Sequence, residues 1–346
     1  MSQKIAQGAL ALALMSTFPS AFAVSVNPNG IGEALIYPYY TINKNQNTLI
    51  SVVNPTDVGK AIQVRFREGY NGRDALSFWL YLAPRDVWTA SMSETADDSS
   101  PLVKTSDKSC SGPFPEDGAA LRSAGYDGAS PAYPADAGPQ DLGRTREGSI
   151  EFIVGADIAR GSPTEEQILG GPHHPPNCAN LLSMSHDDLV APTGGIYGSA
   201  SIVDVGQGTL FAYNAVALQD FTDKELFSPN DPIGPTLADA NSSESRLGGA
   251  VAYLTGSGGR PLALDYASGY DAVSAVLMAD SIEGEYLVDA ALGANTDWIV
   301  SFPTKSFYVD KLLYPSNPTA PFEQPFLEPG TSDVFFPETV CDREQA

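Results

Sequence analysis

Hydrophobic and polar residues alternate between Glu33 and Met92 in a way that predicts a β-meander. Apolar side chains recur at every second position, which is typical of strands with one buried face. Turn residues such as Asn71-Gly72 separate successive runs. The five runs are Ala34–Tyr40, Thr48–Val53, Ala61–Arg67, Ala75–Leu82 and Val87–Met92. Because short turns join antiparallel strands, residues 24–92 are predicted to form the first part of an antiparallel fold.

The third run has one apolar face and one polar face. The apolar residues are Ile62, Val64 and Phe66, and the polar residues are Gln63, Arg65 and Arg67. This alternation is the pattern of a half-buried strand. In the fourth run, Trp79 and Tyr81 lie opposite a face of leucine and phenylalanine, which indicates that both faces are covered. We therefore predict two packed sheets.

The rest of the chain divides by composition. Residues 93–147 are rich in Gly, Pro, Ser and Asp and are predicted to be a long insertion or linker. Residues 148–346 are predicted to be a second β-rich part with short helices, one of them marked by the capping box Ser162-Pro163-Thr164-Glu165. Strands are also predicted at Asp297–Phe302 and Ser306–Val309. The expected fold is a mainly β, antiparallel β-sandwich, immunoglobulin-like or jelly-roll-like, with long loop insertions.

Residues 1–23 have the pattern of a secretory signal peptide. Lys4 precedes an apolar run from Ala9 to Met15, and Ala21-Phe22-Ala23 is a small-x-small cleavage pattern ahead of Val24. We expect the mature chain to be periplasmic or extracellular. No later apolar run approaches the ~20 residues of a membrane helix, so no membrane span is expected.

The net charge of the chain limits the classes of molecule that we expect it to bind. The chain has 42 acidic and 19 basic residues, which gives a formal net charge of −23. Nucleic acids and anionic lipid surfaces both require a dense cationic face, so neither is an expected partner. A protein or a carbohydrate of the cell envelope remains as the expected partner.

Cys110, Cys178 and Cys341 are the three cysteines, and an oxidising compartment favours a disulfide between two of them. We favour Cys110 with Cys178, because both lie in Pro/Gly-rich loops that a cross-link restrains. A disulfide between Cys341 and either Cys110 or Cys178 is the alternative. The thiol left over is compatible with self-association.

Several sequence phrases together resemble a family of exported proteobacterial proteins of uncharacterised function. The phrases are Leu49-Ile50-Ser51-Val52-Val53-Asn54, Arg146-Glu147-Gly148 before Ile150-Glu151-Phe152-Ile153, Thr193-Gly194-Gly195-Ile196-Tyr197-Gly198, Asp271-Ala272-Val273-Ser274-Ala275-Val276 and Thr296-Asp297-Trp298-Ile299-Val300-Ser301-Phe302-Pro303-Thr304-Lys305. The resemblance spans nearly the whole mature chain. It implies export from a bacterial cell and implies no activity and no catalytic residues.

The histidines are the candidate metal ligands. His173, His174 and His186, followed by Asp187, lie within a short stretch, and zinc and copper sites favour imidazole. The alternative is an exposed, proline-flanked loop, and no H-E-x-x-H motif supports a metal site.

The acidic residues allow two enzymatic or structural alternatives. Glu68, Glu147 and Glu151 are possible members of a carboxylate pair for polysaccharide hydrolysis, which requires two acids at a suitable separation. Asp97-Asp98, Glu116-Asp117-Gly118 and Asp127-Gly128 are loop acids of the kind that binds calcium, although the EF-hand pattern is absent.

Aromatic residues are the candidates for a binding platform. Trp79, Trp88 and Tyr39 are the named candidates, against the alternative that they pack in the core. No catalytic motif such as G-x-S-x-G occurs. The leading hypothesis is therefore an exported, non-enzymatic binding or structural protein. The alternatives are a secreted polysaccharide hydrolase and a calcium-stabilised surface protein.

Overall fold

The computed structural model of the chain describes residues 22–95, 100–112, 114–115, 117–169, 176–231, 233–256, 259–279, 298–315, 317–319, 321–322, 324–326 and 332. This part is mainly β, with antiparallel sheets in a sandwich-like arrangement, so the predicted fold class is confirmed. The predicted signal peptide lies outside the described residues except for Phe22 and Ala23.

Sixteen strands and four α-helices make up the regular structure of the described chain. The strands are β1 (Ser25–Val26), β2 (Ala34–Thr41), β3 (Gln46–Val53), β4 (Gly59–Glu68), β5 (Asp74–Leu82), β6 (Val87–Glu94), β7 (Pro101–Lys104), β8 (Cys110–Gly112), β9 (Ala119–Ala120), β10 (Glu147–Ile158), β11 (Leu189–Val190), β12 (Tyr197–Asp204), β13 (Thr209–Asn214), β14 (Val216–Gln219), β15 (Ala250–Gly256) and β16 (Arg260–Tyr266). The helices are α1 (Pro163–Leu169), α2 (Cys178–Leu181), α3 (Gly269–Leu277) and α4 (Lys305–Val309). Each of the five runs predicted in residues 24–92 is a strand.

Two large sheets contain most of these strands. Sheet I has the order β1-β14-β2-β10-β4-β5-β8, with β11 paired to β10, and sheet II has the order β13-β12-β3-β6-β7-β9. Strands β15 and β16 form a separate hairpin. Because β10 lies between β2 and β4, the first and last predicted parts of the chain share one sheet. Residues 93–147, predicted as an insertion or linker, supply β7, β8 and β9 to the two sheets.

The main apolar core lies between the two sheets. Ile62, Val64 and Phe66, the predicted apolar face of β4, are completely buried there. Trp88 of β6 packs against Phe152 of β10, with ring centroids 6.1 Å apart. Burial of this apolar surface is the main force that holds the sheets together.

The opposite face of sheet I is covered as well. Trp79 and Tyr81 of β5 form a second apolar cluster with residues of α1 and α2, which confirms that both faces of β5 are buried. A disulfide joins Cys110 of β8 to Cys178 of α2, as predicted. Cys341 lies outside the described residues.

A third apolar cluster extends this cover over β2 and β10. It contains Ile36 and Ile153 of the sheet together with Phe221, Val273 of α3 and Phe307 of α4. Segments from the second half of the chain therefore close the outer face of sheet I.

Three expectations from the sequence are wrong. The polar face of β4 is buried, since Gln63, Arg65 and Arg67 are 4%, 1% and 8% exposed. Alternation reports two faces of different polarity, and here the polar face is covered by protein. Ser306–Val309 belongs to helix α4, because a four-residue apolar run is too short to show a period. Residues 298–302 contain no strand.

Candidate functional site

A cleft of about 770 Å³ opens where β4 ends and β10 begins. Its floor is formed by residues 67–72, at the end of β4 and in the turn that follows, and by the start of β10. One wall carries Tyr39 of β2, and the other carries residues 298–303 and α4. The site therefore lies on the covered side of sheet I, beside helix α4.

Arg67 occupies the floor of the cleft in a buried ion cluster. Its Nη2 lies 2.9 Å from Oε2 of Glu151, and its Nη1 lies 3.0 Å from Oδ1 of Asp74. Burial acts to lower the pKa of Arg67, but the two carboxylates outweigh it and raise the pKa above its ordinary value. The guanidinium therefore stays charged and is neutralised from within the protein.

Glu68 fixes the turn between β4 and β5. Its carboxylate accepts hydrogen bonds from the backbone N–H groups of Tyr70, Asn71 and Arg73, at 2.8, 3.0 and 2.8 Å. It also accepts one from Nε of Arg144, at 2.8 Å. Four donors occupy most of the acceptor positions that a carboxylate has. Glu68 is thereby a structural anchor for the cleft floor.

Asn71 presents an acceptor without a partner. Its Nδ2 donates to Oδ2 of Asp310 at 2.9 Å and to Oδ2 of Asp136 at 3.3 Å, which fixes the orientation of the amide. Its Oδ1 is buried and, among the described residues, has no hydrogen-bond partner. The same holds for Nε of Arg67. Both residues line the cleft, and these two atoms are buried beneath its surface.

Below the floor, the ion cluster extends to two other parts of the chain. Arg73 pairs with Asp310, which follows α4, and Arg144 pairs with Asp136 at 2.8 Å. Burial acts to raise the pKa of Asp136, but hydrogen bonds from Arg144 and Gly138 outweigh it, and the pKa is lowered. These pairs hold the floor, the 126–144 segment and the C-terminal helix in one arrangement.

Aromatic side chains line the walls and part of the floor. Trp298 is 54% exposed at the cleft and Tyr70 is 48% exposed. The hydroxyl of Tyr39 donates to Oε2 of Glu147 at 2.9 Å. Ser301 donates its hydroxyl to the carbonyl of Pro38, which attaches the Trp298 wall to β2. The cleft thus combines flat apolar rings with a polar floor.

The cleft brings together four residues that the sequence had suggested for separate roles. Glu68, Glu147 and Glu151, proposed as hydrolytic acids, and Tyr39, proposed for binding, all line it. Each of the three carboxylates accepts a hydrogen bond from a neighbouring side chain: Arg144 for Glu68, Tyr39 for Glu147 and Arg67 for Glu151.

Trp79 and Trp88 lie away from the cleft. Trp79 is 6% exposed and packs on Phe227, with ring centroids 4.5 Å apart, and Trp88 is completely buried. Neither ring has a surface to offer a ligand in the described structure. Asn71 and the unpaired atom of Arg67 are not suggested by the sequence. The only relevant sequence signal is the Asn71-Gly72 turn, which predicts where the chain turns and gives no information about a ligand.

Only two of the four candidate metal ligands lie in the described chain. His173 and His174 lie outside the described residues. His186 packs between Tyr81 and Phe227, with ring centroids 5.9 and 4.9 Å away, and burial lowers its pKa. Asp187 is exposed. Over the residues that the structure describes, no group of three or more His, Cys, Asp or Glu side chains is arranged to hold a metal.

The candidate calcium loops are only partly described. Asp97, Asp98 and Glu116 lie outside the described residues. Asp127 accepts hydrogen bonds from the N–H of Ala129 and the hydroxyl of Ser123, which lower its pKa. Its oxygens therefore stabilise a local turn.

Comparison with protein-family models, with curated proteins and with solved structures finds no match for this chain. Within the described ranges, no helix has the length and apolar character needed to cross a membrane. The residues of the cleft are therefore the basis for inferring a function.

Proposed function

We propose that this chain is an exported, non-enzymatic binding protein whose cleft takes a neutral carbohydrate. The observation that carries the proposal is the exposed ring of Trp298 beside a polar floor on which the guanidinium of Arg67 is neutralised by Glu151 and Asp74. Sugar hydroxyls both donate and accept hydrogen bonds, which suits a floor of amide and carboxylate groups.

The aromatic walls support the same ligand class. Trp298 and Tyr70 offer exposed rings, and sugar rings have apolar C–H faces that pack on aromatic surfaces. A cleft of about 770 Å³ lies within the range of small-molecule sites, which is ~300–1,000 Å³. A ligand of a few sugar units is therefore of suitable size.

The electrostatics of the floor support a neutral ligand. Arg67 is neutralised by Glu151 and Asp74, and Arg73 and Arg144 are likewise paired with carboxylates. An anionic ligand would have to compete with these partners, and the chain as a whole carries a net charge of −23. A cationic ligand would find each floor carboxylate already hydrogen-bonded.

The export part of the proposal rests on the sequence and on cysteine chemistry. Residues 1–23 have the pattern of a signal peptide, and the Cys110–Cys178 disulfide suits an oxidising compartment. We place the protein in the periplasm or outside the cell on these grounds.

Calorimetric titration with a panel of neutral oligosaccharides tests the proposal. The wild-type chain should bind at least one member of the panel, and Trp298→Ala should weaken binding by ~10-fold or more, because it removes the exposed ring of the wall. Tyr197→Ala is the matched control, since Tyr197 is 42% exposed on the other sheet. Equal loss of binding in both variants would contradict the assignment of the cleft.

Polysaccharide hydrolysis is the second candidate, and the shared position of Glu68, Glu147 and Glu151 favours it. Each of these carboxylates already accepts a hydrogen bond from a neighbouring side chain, which argues against its acting as the general acid of hydrolysis. Release of new reducing ends from a bound oligosaccharide, lost in Glu147→Gln, would support this candidate over simple binding.

A further inference from the structure

Strand β13 forms the open edge of sheet II. It pairs with β12 on one side, and no described strand pairs with its other side. All its residues are at least partly exposed, with Leu210 at 66% and Phe211 at 63%. The adjoining turn adds Val205, which is 77% exposed. Large apolar side chains are thus concentrated along one sheet edge.

This edge lacks the usual protections against pairing with another strand. Natural edges are blocked by charged residues, by proline or by bulges. The segment Thr209–Asn214 has no charge and no proline, and its register with β12 is continuous over six pairs. The only charged residue between 197 and 214 is Asp204, which is 7% exposed and accepts a hydrogen bond from the N–H of Gln207.

The register shows which backbone groups face outward. The N–H of Ala215 donates to the carbonyl of Gly198 at 2.9 Å, so these two residues form a hydrogen-bonded pair. Antiparallel pairs alternate along the ladder, and this places the N–H and C=O groups of Leu210, Ala212 and Asn214 on the free side. These three residues are a ready template for a further strand.

The outer face of sheet II next to this edge is also uncharged. Across β12, β3 and β6, the outward positions form rows such as Ser199, Ser51 and Thr89, and Ser201, Leu49 and Ser91. No outward side chain on β13, β12, β3 or β6 is Asp, Glu, Lys or Arg. In a chain with a net charge of −23, charge repulsion between copies is therefore small at this face.

We propose that two copies of this chain associate by antiparallel pairing of their β13 strands, which joins the two copies of sheet II into one continuous sheet. A second copy is the occupant that fits, because a twofold axis brings an identical strand against the edge in antiparallel register. It also presents the same uncharged surface to its partner. This surface is separate from the cleft, so the inference does not depend on the ligand.

Sedimentation velocity of the purified chain and of Cys341→Ala, over a range of concentrations and without reductant, tests the pairing. Ala212→Pro removes an outward donor without removing a hydrogen bond to β12, and Leu210→Lys places a like charge on each copy near the axis. Both variants should raise the dimer dissociation constant by ~10-fold or more. Leu247→Lys is the matched control, because Leu247 is 60% exposed in a loop away from sheet II.

A dimer in the wild type and in Leu247→Lys, weakened in both β13 variants, supports the proposal. A wild-type monomer at all concentrations overturns it, and so does a dimer that Leu210→Lys leaves unchanged. If Ala212→Pro fails to fold by circular dichroism, Leu210→Lys alone decides the result. A dimer that Cys341→Ala abolishes is a thiol cross-link and also overturns the proposal.

Discussion

The two sheets present outer faces of opposite character, and their exposure is the reverse of what polarity alone suggests. On sheet I, the outer face of β4 carries Gln63, Arg65 and Arg67, yet it is buried. On sheet II, the outer positions of β12, β3 and β6 carry uncharged side chains, chiefly serine, threonine and aliphatic residues, yet they are exposed, as Leu49 at 44% and Val87 at 43% illustrate.

The difference shows what each face is built to contact. The charged face of sheet I is closed by the chain itself, with each guanidinium held by a carboxylate, and the cleft opens at one end of this cover. The uncharged outer face of β13, β12, β3 and β6 has no such cover within the described chain. Charges on sheet I therefore specify internal contacts, whereas the lack of charge on these four strands leaves a surface open to another molecule.

The largest expected effect is the loss of a buried charge on the covered side of sheet I. Arg144→Ala leaves Glu68 and Asp136 without their guanidinium partner, and Arg144 is completely buried in the ion pair. We expect a loss of about 3–5 kcal/mol in the free energy of unfolding, measured with urea. Arg160→Ala is the control, because its side chain is 63% exposed and its pair with Asp57 is worth less than about 1 kcal/mol. Similar losses in both variants would contradict the contrast.

Removal of the disulfide should have the next largest effect, because it detaches α2 from the edge of sheet I. The Cys110–Cys178 bond closes a sequence separation of 68 residues. The double variant Cys110→Ala, Cys178→Ala should lose about 2–4 kcal/mol in urea unfolding. Cys341→Ala controls for the loss of a thiol. An unchanged unfolding midpoint in the double variant would show that the helical cover holds without the bond.

Glu33 makes the cover of sheet I sensitive to pH. Its carboxylate accepts hydrogen bonds from the N–H groups of Phe221 and Thr222, at 2.7 and 3.2 Å, and burial raises its pKa to about 7. The folded chain therefore binds more protons than the unfolded chain between pH ~4.5 and ~7, so stability falls as pH rises through this window.

Glu33→Gln keeps the acceptor oxygen and removes the charge. It should raise the free energy of unfolding at pH 8 by about 1–3 kcal/mol and change it little near pH 4.5. Glu244→Gln, at an exposed glutamate, controls for the change in net charge. Equal effects at the two pH values would contradict a buried, protonatable Glu33. Chemical denaturation at both pH values gives the comparison.

The smallest effect is expected on the outer face of sheet II. Thr89→Lys places a charge on an exposed position of β6 and should change the free energy of unfolding by less than about 0.5 kcal/mol. A loss of several kcal/mol, measured by urea unfolding below the concentration at which copies associate, would show that this face is covered.

Much of the sheet structure was predictable, because strands β2 to β6 have clear alternation and strong turn residues. The Cys110–Cys178 pairing and the burial of both faces of β5 were also correct. The polar face of β4 was misjudged, because the alternation of Gln63, Arg65 and Arg67 reports polarity and carries no information on the segments that later cover it.

The cleft was predictable only in part. Glu68, Glu147 and Glu151 were named from their chemistry, but their partners come from distant positions, as with the contact between Glu68 and Arg144. The unpaired atoms of Asn71 and Arg67 follow from tertiary hydrogen bonding, which local sequence patterns do not encode. Trp298 lies in the run Asp297–Phe302, which the sequence wrongly predicts as a strand, because a short apolar run resembles a strand whether or not it pairs.

Acrylamide quenching of tryptophan fluorescence tests the central claim most directly. Trp79 and Trp88 are buried, so the accessible emission of the described tryptophans comes from Trp298, which is 54% exposed at the cleft. Titration with a neutral oligosaccharide that the chain binds should protect this emission in a saturable manner. Tyr70→Ala removes a second exposed ring of the cleft and should weaken the protection by ~10-fold. Binding that leaves the quenching of Trp298 unchanged would contradict the assignment of the cleft as the ligand site.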